Sequence, residues 1–495
     1  MKRLYKTTAI MGVSTFAAML AGLIRAKFLA VTLGPSGVGI FSQAMTFLQS
    51  AETICGLGIS VGVTKYIAEM RHKKERQGII TTVASFFTLQ GLSFGVFFAL
   101  ILLFSKRISG FIFSSPDYAP YLILASMAVF FSVLITSMET ALLGLSRPDS
   151  FSRARILYYF LGLGVLMISV GLLKLKGGFF YFLINAVLSF AVVSVFLVKA
   201  LKEKASVFLR DVAKAVRRLD YRSGWGKLLS YGAVMLVSSA FSWLAILYVR
   251  SLVISRLGAN FNGFYQVVFA LTGYYTPFFT NAVWGYLFPK LSAAGNTKPM
   301  SLEVNRTLRF TQLFLVPLIA VLFIFRKAFV VTVFSEEFLP SLSIFPLYLT
   351  GSFFYMLVYI VGTPLLAQKK LKAYFSVNIL HNALYAGLFT ALVSVMGFRA
   401  IPFSYLLANA AALLAFTAYI VKRMGIKIEK KNLKLFAFSV FFLAFILLVP
   451  WEGVSGVSFK GMCAILWIFL ATGKRERALL RSIAREKIPW MRSRL

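Results

Sequence analysis

Long apolar runs alternate with short polar breaks from one end of the chain to the other. The runs fall at about 8–33, 38–64, 79–104, 119–143, 154–173, 178–198, 228–255, 262–287, 308–333, 341–366, 373–396, 399–421, 433–449 and 455–472. Most reach the roughly 20 residues that a helix needs to cross a bilayer. Inside a bilayer only helices and closed barrels satisfy the backbone, and these runs are too long and continuous for barrel strands. The pattern therefore predicts an all-α polytopic membrane protein of about fourteen transmembrane helices.

The polar breaks repeat. "LGPSGVGIFSQ" at 33–43 and "LGANFNGFYQ" at 257–266 each carry Leu-Gly, a second Gly five residues after the first, and then an aromatic residue. Gly34 and Gly258 end the first and seventh runs, and Gly39 and Gly263 open the second and eighth. A tight connection between long helices needs a residue that tolerates positive φ, which Gly does without steric cost, and Pro35 adds a helix stop. "ALLGLSR" (141–147) and "PLLAQKK" (364–370) match more loosely, as do "RISGFIF" (107–113) and "KAFVVTVF" (327–334). Six runs separate the copies, so both have the same orientation in the membrane. The expected organisation is two pseudo-symmetric six-helix lobes, 1–198 and 228–421. A basic linker, 199–227, joins them; two C-terminal helices within 422–472 and a basic tail, 473–495, follow. Parallel repeats of this kind occur in secondary transporters, where the substrate site lies between the halves. A duplicated scaffold without transport is the alternative.

Composition sharpens this picture. The chain is 59% hydrophobic and 14% charged, with mean hydropathy +0.81, against about 25% charged residues in an average soluble domain. The net charge of +37 raises the possibility of nucleic-acid binding. However, Lys and Arg gather in the N-terminal tail, in every second loop and in the C-terminal tail, which is the positive-inside pattern. Both termini are then cytoplasmic and the protein sits in the cell (inner or plasma) membrane. The basic stretches 199–227 and 474–494 read as surfaces attracted to anionic membrane lipid; no folded domain presents them to nucleic acid. Cys55 and Cys463 both lie inside runs, so neither a disulfide nor a metal site is expected. The first run exceeds the usual apolar core of a signal peptide and contains Arg25 and Lys27, so cleavage is not expected.

Ionisable residues at membrane depth are costly and point to function. Arg25 stands nine residues before Gly34, and Arg250 eight before Gly258, so the two lobes carry an arginine at similar depth. Two such cations facing one cavity suit a multiply charged anion, and a planar guanidinium suits phosphate. Snorkelling to the outer surface is the alternative, and the stronger one for Lys27. Glu52 is the acidic residue nearest the midplane. It would either pair with Arg25 for packing or bind a proton or cation, since burial without a partner disfavours a charged carboxylate. Glu139 lies close in depth to Arg155 and reads as an interfacial ion pair. Span 8 offers Tyr274, Tyr275, Asn281, Trp284 and Tyr286, and span 11 offers Asn378, His381, Asn382 and Tyr385 on one helix face. Aromatic faces and amides suit a hydroxyl-rich ligand, but such residues also bond neighbouring membrane helices.

No G-x-x-x-x-G-K-[ST] phosphate loop is present, so no bound nucleotide or other cofactor is expected. His72 and His381 have no evident acid–base partner, and the outer loops are too short for a catalytic domain. That argues against an enzyme such as a lipid-linked sugar polymerase or ligase.

"LAVTLGPSGVGI" (29–40), "GLGISVGVTKYIAEM" (56–70) and "GYLFPKLSAA" (285–294) resemble the polysaccharide transporter family, and within it the O-antigen and related lipid-linked oligosaccharide flippases. The resemblance covers the whole chain in length and span count and is sharpest over 25–70. It implies a fourteen-helix member of the multidrug/oligosaccharidyl-lipid/polysaccharide superfamily. The implied substrate is a polyprenyl-pyrophosphate-linked glycan, moved from the cytoplasmic to the outer leaflet, with other polysaccharide-assembly proteins as candidate partners. Cavity arginines hold the pyrophosphate in such flippases, and Arg25 is the matching position. A peptidoglycan-precursor flippase shares nearly every feature above. A drug or cation antiporter of the same superfamily would prefer an acidic cavity.

Overall fold

A computed structural model describes residues 2–205, 207, 209–218, 222–294, 296–448, 460–464, 466–467 and 470–472. The protein is an all-helical polytopic membrane protein. Among the described residues, eight helical stretches are long and apolar enough to cross a membrane by length and composition. The longest of them contain breaks: Met11–Cys55 at Gly34, Pro148–Lys204 at Lys174, and Leu371–Met424 at Gly397. Each predicted span up to 399–421 lies largely on helix, as do the described residues of 433–449. The last span, 455–472, lies mostly outside the described residues, as does the tail 473–495.

The breaks follow the residues that the sequence marks. Gly34 adopts φ 62° inside the helical stretch Lys2–Cys55, and Gly258 adopts φ 102° between Arg222–Leu257 and Ala259–Ala282. The looser repeat is reproduced in the backbone as well. At 141–147 the amides of Leu145, Ser146 and Arg147 donate to the carbonyls of Ala141, Leu143 and Leu142. At 364–370 the amides of Gln368, Lys369 and Lys370 donate to Pro364, Leu366 and Leu365 in the same order. Ser146 and Lys369 both sit in the left-handed region, at φ 54° and 56°.

Two runs divide differently from their sequence reading; 308–333 is broken at Phe325, between Thr297–Ile324 and Arg326–Val333. The stretch 38–64 is broken after Cys55, and a separate helix, Ser60–His72, follows. Leu57 and Gly58 have φ 53° and 63°. A Cβ on Gly58 would lie 2.4 Å from the Gly232 carbonyl oxygen, so close backbone approach fixes this break. The signal was present in "CGLG", whose two glycines lie inside an otherwise apolar run.

The chain divides into two compact units. The first comprises Met1–Phe269, Val330–Ser341 and Asn378–Ala400; the second comprises Ala270–Phe329, Leu342–Val377 and Ile401–Leu495. The first unit has a core of Ile59, Val63, Phe86, Met138 and Leu142 among others, all nearly inaccessible. The basic linker adds to it. Span 6 stays helical through Ala205, and a short helix, Leu209–Arg217, tucks Val212 and Ala215 into the same core. That helix is tied to Arg76 by Asp211 at 2.6 Å, which leaves Lys214 and Arg217 exposed. In the second unit, Thr297–Ile324 packs against Phe345–Ala367 and Lys430–Leu448. Asn305 joins the first of these helices to the last, accepting from Asn432 Nδ2 at 2.8 Å.

Candidate functional site

Within the first unit, a polar cavity of about 310 Å³ lies among spans 1, 2, 4, 5 and 6. The turn at Gly34 folds span 2 back beside span 1, so that Met45, Leu48, Gln49 and Glu52 reach the cavity beside Arg25. Their spacing, i, i+3, i+4 and i+7, is one face of a helix. Span 4 adds Ser132, Thr136 and Glu139; span 5 adds Arg155 and Tyr158; span 6 adds Tyr181, Phe182, Asn185 and Ser189.

Two arginines and two glutamates therefore share one small space, in different states. Glu139 is nearly buried and holds Arg155 with two parallel bonds, Nε to Oε1 at 3.0 Å and Nη2 to Oε2 at 2.9 Å. Tyr158 donates to the same carboxylate at 2.8 Å. Glu52 accepts from Thr136 Oγ1 at 2.8 Å. Among the described residues, neither Glu52 nor Arg25 makes an ion pair. A second chamber of about 330 Å³ adjoins the first and shares Gln49, Glu52 and Thr136 with it; Gln90, Ser239 and Trp243 also line it. Glu52 thus stands in the wall common to both chambers.

The other residues singled out from the sequence occupy different settings. Arg250 is fully buried and does not line the cavity. It bonds Ser42, Asn262 and Gln266. Lys27 donates to the carbonyls of Val331 and Phe334, at 3.0 and 2.7 Å, capping the end of helix Arg326–Val333. In span 11, Asn382 Nδ2 bonds Ser242 Oγ and the Asn378 carbonyl; His381 and Asn378 are half-buried. In the second unit, Tyr275 is buried and its hydroxyl meets that of Ser352, and Trp284 Nε1 donates to Tyr359. Tyr274 is half-buried and Asn281 exposed. Residues 283–287, which include Trp284, form a π-helical turn.

The structure thus brings Arg25 and Glu52 together with Arg155 and Glu139. Sequence reasoning treated the last two as an interfacial pair and did not place them in a cavity with Arg25. It also missed Asn185, whose one available signal is an amide inside the apolar run "YFLINAVLSF".

The arrangement can bind an anion without help from a metal. Arg25 is a guanidinium facing solvent-sized space, and its fork fits phosphate oxygens. Carboxylate, amide and hydroxyl groups nearby can accept from or donate to hydroxyls. Among the described residues, no group of three or more His, Cys, Asp or Glu side chains could hold a metal ion.

The sequence pattern of the family described as "Polysaccharide biosynthesis protein" matches residues 4–294. The chain is similar to the lipid III flippase of Escherichia coli (strain K12), with 25% identity over 370 residues, 73% of this chain and 84% of that one. Its fold is similar to the lipid II flippase MurJ in an inward closed conformation. The TM-score is 0.69 at 15% identity, over 96% of this chain and 100% of that chain. It is also similar in fold to the MATE multidrug transporter DinF-BH, with TM-score 0.63 at 14% identity over 86% and 96% of the two chains.

Proposed function

The chain belongs to the polysaccharide biosynthesis protein family, and from that membership we propose that it is a flippase for a polyprenyl-pyrophosphate-linked oligosaccharide. It carries the glycan from the cytoplasmic to the outer leaflet of the cell membrane by alternating access of lobes 1–198 and 228–421. It is a carrier and not an enzyme, and both of its termini face the cytoplasm. The observation that carries this reading is Arg25, without an ion pair among the described residues, on the wall of a polar cavity whose other guanidinium is already held by Glu139. Arg25 receives the pyrophosphate, and Gln49, Thr136 and Asn185 face the first sugar. The similar Escherichia coli protein is a lipid III flippase, which supports the reading.

Depletion in cells tests it. Lipid-linked oligosaccharide should accumulate on the cytoplasmic leaflet and disappear from the outer one. The same leaflet-resolved assay should be run with a lipid-linked disaccharide–pentapeptide and with a cationic dye. An unchanged oligosaccharide distribution, with either of the others disturbed, would replace this substrate with that one.

Glu52 is assigned the coupling role. Its bond from Thr136 and its place between the two chambers suit a carboxylate that exchanges a proton as the lobes move. Glu52→Gln keeps the shape and can still bond Thr136, so it should insert and fold normally. In proteoliposomes its transport should no longer respond to a proton gradient; a normal response would end the assignment.

A further inference from the structure

The duplicated turn is a matched contact. A Cβ on Gly39 would lie 2.0 Å from the Ala259 carbonyl oxygen, and one on Gly263 would lie 2.0 Å from the Pro35 carbonyl oxygen. Pro35 and Ala259 are themselves repeat counterparts, as are Gly39 and Gly263. Each copy thus presents the same glycine to the same position of the other, the reciprocity of a two-fold interface. Glycine is required at both places because backbone meets backbone there.

One side chain spans this contact. Arg250 sends Nη1 to Ser42 Oγ at 3.1 Å and Nη2 to Gln266 Oε1 at 2.7 Å. Ser42 and Gln266 are counterparts at the repeat spacing, one from each copy. The position equivalent to Arg250 in the first copy is Ala26, so a single arginine serves both. Nη1 also reaches Asn262 Oδ1 at 3.2 Å, and Asn262 Nδ2 in turn donates to the Gly39 carbonyl at 2.7 Å. The guanidinium lies over the rings of Tyr265 and Phe269, at 4.7 and 4.6 Å. Beside it, Gln43 Nε2 donates to Ser251 Oγ at 2.8 Å, a third bond from copy to copy.

We propose that Arg250 is the latch of a gate formed by the two copies of the turn, at the end of the bundle that the charge pattern places outside. Its consequence for transport rests on the carrier reading above. Hydrogen bonds from a charged donor are strong enough to hold the copies together. The bond to Ser42 can be exchanged for water when the copies part, so the seal is reversible where an apolar one would resist wetting. Ser42 leaves with its own copy on opening, while Asn262 and Gln266 stay with Arg250.

The test reads the gate directly. Ala44 is nearly inaccessible and packs with Leu247 and Ile254 in one apolar cluster. Ala44→Cys, in a background of Cys55→Ser and Cys463→Ser, is labelled by an impermeant maleimide added to the outer side of vesicles without lipid-linked glycan. Arg250→Ala should raise the labelling rate about tenfold, as expected for loss of a hydrogen bond to a charged group. Ser42→Ala and Gln266→Ala should each raise it less. Ser42→Ala should add nothing in the Arg250→Ala background, because the two share one bond. Should Arg250→Ala fail to fold, the two acceptor variants still decide the matter. Unchanged labelling in folded Ser42→Ala and Gln266→Ala overturns the latch. Faster labelling in protein that flips no lipid-linked glycan would keep the latch and remove the carrier reading.

Discussion

Arg25→Ala abolishes flipping while leaving the fold intact. Arg25 makes no ion pair among the described residues and faces a cavity, so truncating it strands no buried partner. In the presence of substrate the change removes the pyrophosphate's guanidinium. Hydrogen bonds to charged groups contribute roughly 1.5–3 kcal/mol each, and about 1.4 kcal/mol is a factor of ten. Removing both prongs of the guanidinium fork therefore lowers flipping by two orders of magnitude or more, to the order of the background. Arg25→Lys keeps the charge and loses the fork, so it should fall between wild type and Ala. Flipping of lipid-linked oligosaccharide in proteoliposomes, normalised to folded protein, is the measurement. Wild-type rates in Arg25→Ala would remove the pyrophosphate from this cavity.

Arg155→Ala should act on stability. Glu139 is only 7% exposed and keeps Tyr158 as a donor once Arg155 is gone. Breaking a buried pair from one side costs about 3–5 kcal/mol. Arg155 itself is 36% exposed, so the loss should lie at the lower end of that range. Thermal unfolding in detergent reads it directly. Glu139→Gln combined with Arg155→Gln removes both charges together and should recover most of the stability, since no unpaired charge remains. Stability equal to wild type in Arg155→Ala would mean that water already supports Glu139. If the recovered double variant also flips normally, the pair is a structural strut; loss of flipping would make it part of the binding wall.

The helical class, the approximate spans and the repeat were all legible along the chain. The bilayer imposes these one segment at a time, through the need to satisfy the backbone with apolar length. Gly34 and Gly258 could be read as turns because only particular residues tolerate the φ values found there. Glu139 and Arg155 could be paired by depth, since 1.5 Å per residue turns position along a span into height. Height is not direction, however. One residue turns a side chain by about 100°, so depth alone paired Arg25 with Arg250 as facing cations. Tertiary packing decided otherwise for their surroundings: Arg25 stands in a cavity with Arg155 and Glu139, whereas Arg250 is buried between Ser42 and Gln266. Rotation about a helix axis is fixed by what packs on every side, and those neighbours come from spans distant in sequence. The same reason hid the close approach of Gly232 to Gly58 at the break after Cys55, and the reciprocal fit of Gly39 and Gly263. The two copies of the turn could be seen in one dimension; that they are built to touch each other emerged only in three.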